Sequence, residues 1–203
     1  AFLSGADIHP STAATVFGVT PDEVTPELRK RAKAVNFGIM YGIGAFSLAD
    51  DIGVSRLEAQ AFIDRYLGQF PGIDEYLKRT IAEAYENGYV TTLFGRRRYI
   101  AELSGKNKVQ QKFGERVAMN SPIQGTAADL IKIAMIRVHR RLKQEGLNAR
   151  LILQVHDELL IEAHRSCADR AEAILREEME SAAKLPVPLT VEIHSGDTWY
   201  DAK

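Results

Sequence analysis

The pattern of apolar and polar residues divides the chain into a helix-rich first part and a second part that mixes strands with helices. One helix start is well marked: the hydroxyl of Thr25 is followed by Pro26 and then by an acidic residue. A hydroxyl cap, a first-turn proline and an acid at the positive end of the helix dipole all favour a helix N-terminus. This helix is predicted to end at about Tyr41, before two glycines.

Two further helices are predicted before the first strand. Ser55 and Glu58 have the spacing of a capping box, which opens a helix that stops before Pro71. The next helix is rich in Glu, Ala and Leu and ends near Asn87, because the following Gly88 suits the left-handed position after a helix.

Short strands are predicted at 89–93 and 98–100, around a turn that contains a glycine. A helical pattern returns over 108–120 and again over 124–145. Pro122 is predicted to interrupt the helix between these two stretches, because proline lacks the N–H that a helix interior needs.

The last part of the chain is predicted to contain strands at 151–155 and 159–162, then a capped helix from Ser166, and a final alternating strand at 189–193. Helices come first and a strand–turn–strand–helix–strand series follows. This order predicts an α+β fold in which a helical subdomain is attached to a small antiparallel sheet.

The charge of the chain is uneven. Its net charge is −1, but residues 96–116 contain seven basic and two acidic residues. Such a basic segment favours a nucleic-acid surface, because neutralised phosphates release counterions. A solvated loop and helix face is the alternative interpretation. The single Cys167 excludes a disulfide within the chain, and no apolar run has the length of a membrane span.

The first candidate functional group is a ladder on the helix that begins after Thr25. Four residues follow one another at intervals of four and share one helix face: Arg29, Lys33, Phe37 and Tyr41. Two cations suit a polyphosphate, and two aromatic rings suit a sugar and a base. The alternative is an ordinary helix with a solvated basic end and a buried aromatic end.

The second candidate is the polar tip between the strands 151–155 and 159–162. His156, Asp157 and Glu158 stand where a tight turn favours Asn-Gly or Asp-Gly. Adjacent carboxylates bind hard cations such as Mg²⁺. Alone the signal is weak, because a His-Asp pair is also found in metal phosphohydrolases and in ordinary turns.

The third candidate is a polar series around Pro122. Arg116, Asn120 and Gln124 are again four residues apart and can hydrogen-bond base edges and phosphates. Polar residues that satisfy backbone groups at a helix junction are the alternative.

Taken together, these segments resemble the DNA polymerase I family, the family A DNA polymerases. The run from Arg29 to Gly42 is similar to the family's motif B on the fingers helix, and the run from Gln154 to Leu159 is similar to its motif C in the palm. Further similarity covers 7–9, 93–99 and 118–130, so that nearly the whole chain takes part.

The resemblance implies the architecture of a right-hand polymerase and template-directed DNA synthesis, in replication and repair. It places a fingers subdomain at 1–88 and the C-terminal part of the fingers and palm at 89–203. It also implies primer–template DNA and a dNTP as partners, no membrane association, and a monomeric parent protein in the bacterial cytoplasm, associated with the nucleoid.

The resemblance also implies roles for individual residues. His9, Arg29 and Lys33 are expected to grip the triphosphate of the dNTP, and Lys33 also to assist departure of pyrophosphate. Phe37 is expected to pack on the sugar, where a Phe discriminates against dideoxynucleotides, and Tyr41 to stack near the template base.

The same comparison assigns Asp157 as a ligand of catalytic Mg²⁺ in a two-metal site, with Glu158 in support. Four residues are expected to line the primer–template: Arg116, Asn120, Gln124 and His156. The family's other aspartate ligand is expected upstream of Ala1, so the chain is interpreted as a fragment that lacks the N-terminal part of the polymerase domain and is inactive alone.

Two alternatives remain at this point. A single-subunit RNA polymerase uses a helix and a hairpin in the same way. A non-catalytic nucleic-acid-binding module could keep the fold without its chemistry, although such a module has no need of Asp157.

Overall fold

A computed structural model describes residues 7–202 of the chain, and these residues form two compact units, Ala1–Gln124 and Gly125–Lys203. Each unit is described by itself. The fold is mostly helical with two small antiparallel sheets, which confirms the predicted α+β class. The predicted division at 88 and 89 concerns fingers and palm as functional subdomains, and it stays a prediction.

The first unit is built largely from helices. In chain order its elements are α1 (Ile8–Phe17), α2 (Pro26–Met40), α3 (Ala45–Ile52), α4 (Arg56–Gln69), α5 (Pro71–Asn87), β1 (Tyr89–Thr91), β2 (Arg97–Tyr99) and the first part of α6 (Lys108–Gln144). Single 3₁₀ turns lie at Pro21–Glu23 and Ala101–Ser104.

Local sequence accounts for the starts of α2 and α4. The Thr25 hydroxyl accepts a hydrogen bond from the N–H of Leu28, and the Ser55 hydroxyl accepts one from the N–H of Glu58. The carboxylate of Glu58 in turn accepts from the N–H of Ser55 at 2.9 Å, which completes the capping box. These contacts confirm both predicted helix starts.

Sequence analysis missed α1 and α3. Helix α1 contains a proline and several β-branched residues, which lower its intrinsic helix propensity. It is nevertheless capped at both ends, by Asp7 and by the left-handed Gly18. Buried Val16 of α1 and Leu48 of α3 pack in one core with Val35 of α2, so tertiary packing stabilises these two short helices.

Pro122 does not interrupt α6, which runs from Lys108 to Gln144. The prediction of two helices separated at this proline was therefore wrong. Proline removes one hydrogen bond and strains one turn, at a cost of about 3 kcal/mol. The helix continues because buried residues on both sides of the proline, among them Ala118 and Val138, keep it packed.

The second unit contains the rest of α6, the hairpin β3 (Ala149–Val155) and β4 (Glu158–Ala163), a 3₁₀ turn at Arg165–Cys167, and α7 (Ala168–Glu180). Leu159 of the hairpin, Val138 of α6 and Ile174 of α7 are buried in its core. The predicted strand pair and the presence of a helix after it are confirmed. The predicted cap at Ser166 is wrong, because Ser166 lies in the 3₁₀ turn and α7 begins at Ala168 after Cys167, which makes no side-chain cap bond.

The predicted final strand at 189–193 does not form. The N–H of Val191 donates to the Glu180 carboxylate at 3.1 Å, and its carbonyl accepts from Arg176 Nη1 at 2.7 Å. Two side chains of α7 thus satisfy both backbone groups of Val191, which a neighbouring strand could otherwise bind. The sequence of this segment does alternate between apolar and polar residues, but no strand of residues 7–202 pairs with it.

None of the helices among residues 7–202 combines the length and the apolar character that crossing a membrane requires.

Candidate functional site

Helix α2 has one buried face and one exposed face, and the candidate residues lie on the exposed one. Its buried positions are Ala32, Val35, Asn36 and Ile39. Because helical neighbours recur at intervals of three and four, the side chains on the opposite face point away from this core.

The exposed face carries the whole predicted ladder, which we call the α2 strip: Arg29, Lys33, Phe37 and Tyr41. The Lys33 ammonium lies 5.9 Å from the centroid of the Phe37 ring, and the rings of Phe37 and Tyr41 are 6.1 Å apart. Phe37 is 46% and Tyr41 37% exposed. The alternative of a buried aromatic end is therefore wrong.

His9 of α1 adjoins the α2 strip. Its ring centroid lies 6.0 Å from that of Phe37. Its Nδ1 lies 2.8 Å from the amide nitrogen of Asn36, on the buried face of α2. The structure thus brings all five residues predicted to bind the nucleotide onto one surface of the first unit.

Asp7 connects α1 to the basic end of the α2 strip. One of its carboxylate oxygens accepts from the N–H of His9 at 2.9 Å, and the other accepts from Arg29 Nε and Nη2 at 2.7 and 2.6 Å. The backbone bond from His9, followed by the bond from Arg29, lowers the pKa of Asp7. Sequence analysis missed this role, although the position of an aspartate just before a helix was a signal for a cap.

Gly42 allows α6 to approach the end of α2. Its φ is 72°, in the left-handed region that favours glycine. A Cβ at this position would collide with Met119 Cε and lie 3.2 Å from Arg116 Cγ. The backbone therefore favours glycine at the position that follows the α2 strip, and a Cβ there would also require the end of the Met119 side chain to shift.

The continuous α6 places the third predicted group on one face. Arg116 and Gln124 are exposed, and the Arg116 guanidinium lies 5.9 Å from the ring centroid of Phe113. Between them, Asn120 Oδ1 is buried without a hydrogen-bond partner in the described part of the chain. An unpartnered buried acceptor is costly, so this atom is a candidate for a ligand contact.

The second unit presents the hairpin tip. Val155 pairs with Glu158 across the hairpin, which leaves His156 and Asp157 as a two-residue turn. His156 has a φ of 52°, the one positive φ of a non-glycine residue between 7 and 202. Gln154 Nε2 donates to its carbonyl at 2.6 Å. Such strain at an exposed turn motivates a functional hypothesis.

The carboxylates at this tip fit part of a divalent-cation site. Asp157 and Glu158 are both exposed and offer the oxygen ligands that Mg²⁺ prefers. However, no group of three residues able to hold a metal ion occurs within the described range. The two acids are thus a partial donor set.

Comparison with known proteins shows what the chain as a whole is similar to. The family model described as "DNA polymerase family A" matches residues 1–201. The chain is 53% identical over its whole length to DNA polymerase I of Bacillus subtilis strain 168, and 52% identical to that of Bacillus caldotenax. It spans 23% of the length of each of these relatives.

A solved structure gives the same result at the level of the fold. The structure described as "POL domain of Pol1 from M. smegmatis complex with DNA primer-template and dNTP" matches with a TM-score of 0.92 and 43% sequence identity. The match covers 99% of this chain and 35% of that one.

Proposed function

Because the chain belongs to DNA polymerase family A, we propose that it takes part in template-directed DNA synthesis, the transfer of a nucleotidyl group from a dNTP to a primer 3′-hydroxyl. The exposed α2 strip with His9 beside it is the observation that carries this proposal. The chain spans about a quarter of the curated relatives it matches. The activity is therefore proposed for the polypeptide that contains it, with 1–88 as fingers and 89–203 as the remainder of the fingers and part of the palm.

The α2 strip binds the dNTP in this proposal. Arg29 uses Nε and Nη2 to hold Asp7, and a guanidinium has five N–H donors. It therefore keeps donors for phosphate oxygens. Lys33 adds a compact charge one helical turn away, and His9 a ring donor. Phe37 lies under the sugar, and Tyr41 borders the template base.

Lys33 also acts in the chemical step. An ammonium group beside the departing pyrophosphate stabilises the negative charge that develops there and can give up a proton to it. The centroid of the Phe37 ring lies 5.9 Å from the Nζ of Lys33, within the distance at which a ring face attracts a cation.

Asp157, supported by Glu158, would hold catalytic Mg²⁺ as part of a donor set, because the described residues contain no group of three His, Cys, Asp or Glu that could hold the ion. When bound, the metal ions activate the primer hydroxyl and neutralise charge on the phosphates. The protein residues position the reacting groups.

Primer–template DNA contacts the exposed face of α6 through Arg116, Asn120 and Gln124, and His156 contacts it from the hairpin tip. Amide and guanidinium groups can bind base edges and phosphates, and Asn120 Oδ1 gains a partner on binding.

We also propose that the full polypeptide is monomeric and works at the bacterial nucleoid.

The decisive experiment is primer extension by the full polypeptide with the substitution Asp157→Asn. The loss of a metal ligand removes several kcal/mol of transition-state stabilisation, so the rate is expected to fall roughly a hundredfold or more. The matched control is Asp169→Asn, which removes an exposed carboxylate from α7 of the same unit. Equal rates for the two variants would falsify the assignment of Asp157.

The isolated 203-residue chain provides a second test. It is expected to bind a dNTP but not to extend a primer, because its metal ligands are a partial set. Robust extension by this chain alone contradicts the proposal that it is one part of the catalytic domain. Nucleotide binding by the full polypeptide that is independent of Mg²⁺, together with absence of extension, identifies a non-catalytic module instead.

A further inference from the structure

A chain of buried hydrogen bonds leads from α1 through α2 to His9. The Thr12 hydroxyl donates to Asn36 Oδ1 at 3.1 Å. The Asn36 amide nitrogen lies 2.8 Å from His9 Nδ1. Thr12 is 1% and Asn36 5% exposed, whereas His9 is only half-buried. Water is thus kept from both polar groups behind the imidazole, and the ring itself reaches the surface.

In the arrangement that the structure shows, these contacts favour one tautomer of His9. An amide NH₂ group only donates hydrogen bonds, so the Nδ1 that faces it must accept with its lone pair. A neutral imidazole then has its proton on Nε2. In the structure the Thr12 hydroxyl donates to Oδ1, so the amide oxygen faces Thr12 and the amide nitrogen faces His9. Thr12 therefore favours the proton on Nε2 of His9 indirectly, through its hydrogen bond to Asn36.

Asn36 is buried at a position where an amide without hydrogen bonds would be destabilising. Asn36 stands on the apolar face of α2 among Ala32, Val35 and Ile39. A buried amide is unfavourable unless its groups are hydrogen-bonded, and a low local dielectric strengthens the bonds that it makes. The bonds that satisfy Asn36 are those that orient the ring beside Phe37.

We propose that Asn36 and Thr12 are positioning residues that hold His9 as its Nε2–H tautomer, so that neutral His9 donates a hydrogen bond to a phosphate oxygen of the nucleotide. This inference rests on the proposed function for the phosphate contact. The tautomer itself is a property of the ligand-free chain. Neither Asn36 nor Thr12 touches the nucleotide in this proposal.

The tautomer is tested by long-range ¹H–¹⁵N correlation of the 203-residue chain with ¹⁵N-labelled histidine, at a pH where the ring is neutral. A His9→Asn variant assigns the signal among the five histidines of the chain. The expected result is a protonated Nε2 and an unprotonated Nδ1. Asn36→Asp is expected to reverse this pattern, because a carboxylate opposite Nδ1 accepts a hydrogen bond and so favours a protonated Nδ1. A protonated Nδ1 in the unsubstituted chain overturns the proposal.

Thr12→Val covers the case in which Asn36→Asp does not fold. Removal of the hydroxyl frees the amide to turn, so a mixture of tautomers is expected. Thr80→Val is the matched control, because Thr80 is also buried, at 6% exposure, but lies on α5. It should change stability and leave the His9 signal as it is. An unchanged His9 signal in folded Thr12→Val contradicts a positioning role.

Equilibrium titration with a dNTP connects the tautomer to function. In Thr12→Val only the fraction of His9 that keeps the proton on Nε2 can donate, so dNTP binding is expected to weaken in proportion to the loss of that tautomer, about twofold for an equal mixture, with no change in Thr80→Val. Equal affinities of these two variants overturn the phosphate contact of His9. Absence of dNTP binding by the unsubstituted chain instead refutes the proposed function of this surface, and the ligand-free spectrum still decides the tautomer.

Discussion

At the scale of single residues, Gly42 shows how a backbone requirement and a packing requirement coincide. The residue ends the α2 strip with a φ of 72°, and Met119 and Arg116 of α6 occupy the space of a Cβ. Gly53 has a similar φ of 67° with nothing within 4 Å of a Cβ. Substitution of Gly42 and of Gly53 therefore distinguishes the cost of backbone strain from the cost of overpacking.

Gly42→Ala is expected to lower the free energy of unfolding by about 2–4 kcal/mol, the sum of left-handed strain and displaced neighbours. Gly53→Ala is expected to cost only about 1 kcal/mol, from strain alone. Urea unfolding of both variants gives the two values. Similar values for the two variants show that α6 moves away without cost, which contradicts the close packing at Gly42.

Phe37 lacks a hydroxyl, which bears on the selection of the sugar. In the proposed site its ring lies under the sugar, where Phe37→Tyr places a hydroxyl that can replace the missing 3′-hydroxyl of a dideoxynucleotide. One such bond is expected to improve the kcat/KM for a ddNTP relative to a dNTP by roughly ten- to a hundredfold.

Single-turnover incorporation by the full polypeptide measures this ratio. Phe46→Tyr is the control, because Phe46 is also exposed, at 67%, but belongs to α3 and not to the α2 strip. If both variants change the ratio to the same extent, Phe37 is not the residue next to the sugar.

At the scale of secondary structure, the caps of α2 and α4 are predicted correctly from the sequence. Thr25 and Ser55 each bond to backbone within three residues, so their role depends on local sequence alone. Pro122 and 189–193 were misread because their outcome depends on distant groups. Packing on both sides of Pro122 maintains α6, and Arg176 and Glu180 bind the backbone of Val191.

The candidate site likewise has some features that follow from local sequence and others that depend on packing. The regular spacing of the α2 strip and the polar hairpin tip are properties of one helix and one turn, and both could be read from the sequence. The contacts of Asp7 with Arg29 and of Asn36 with His9 join residues more than twenty positions apart. These contacts depend on the packing of α1 on α2, and α1 itself has a weak sequence signal.

The capping box of α4 leads to a pH-dependent prediction. Hydrogen bonds from the side chain and then the backbone of Ser55 lower the pKa of Glu58. The folded state therefore binds this proton less readily than the unfolded chain. The stabilisation by Glu58 is complete above the ordinary glutamate pKa of about 4.3, and it is lost as the pH falls through the lower value of the folded state.

Glu58→Gln should accordingly be less stable than the unsubstituted protein at pH 7, and this difference should shrink below about pH 4. Ser55→Ala should lose about 1 kcal/mol at pH 7. Chemical unfolding at the two pH values provides the comparison. Glu75→Gln is the control, because it removes an exposed carboxylate of α5 that is not part of a capping box. A constant difference for Glu58→Gln across this range contradicts the role of its carboxylate.

At the scale of the whole molecule, basic residues are concentrated in one segment of the chain. The chain has a net charge of −1, yet 96–116 carries seven basic and two acidic residues. This segment includes β2 and the first turns of α6. Some of these charges are already paired, as Lys112 is with Glu115. Arg116 instead lies over the Phe113 ring and is exposed, so it is the better candidate for a phosphate contact.

Affinity for primer–template should therefore depend on salt in a way that can be assigned to single residues. Each phosphate contact contributes about 0.9 to the slope of log K against log salt concentration. Arg116→Ala in the full polypeptide is expected to reduce this slope by about that amount, whatever the DNA sequence. Lys78→Ala removes the same charge from α5, where Lys78 is paired with Asp74, and should leave the slope unchanged. If both substitutions reduce the slope equally, the protein responds to its total charge, and the α6 face has no specific part in binding DNA.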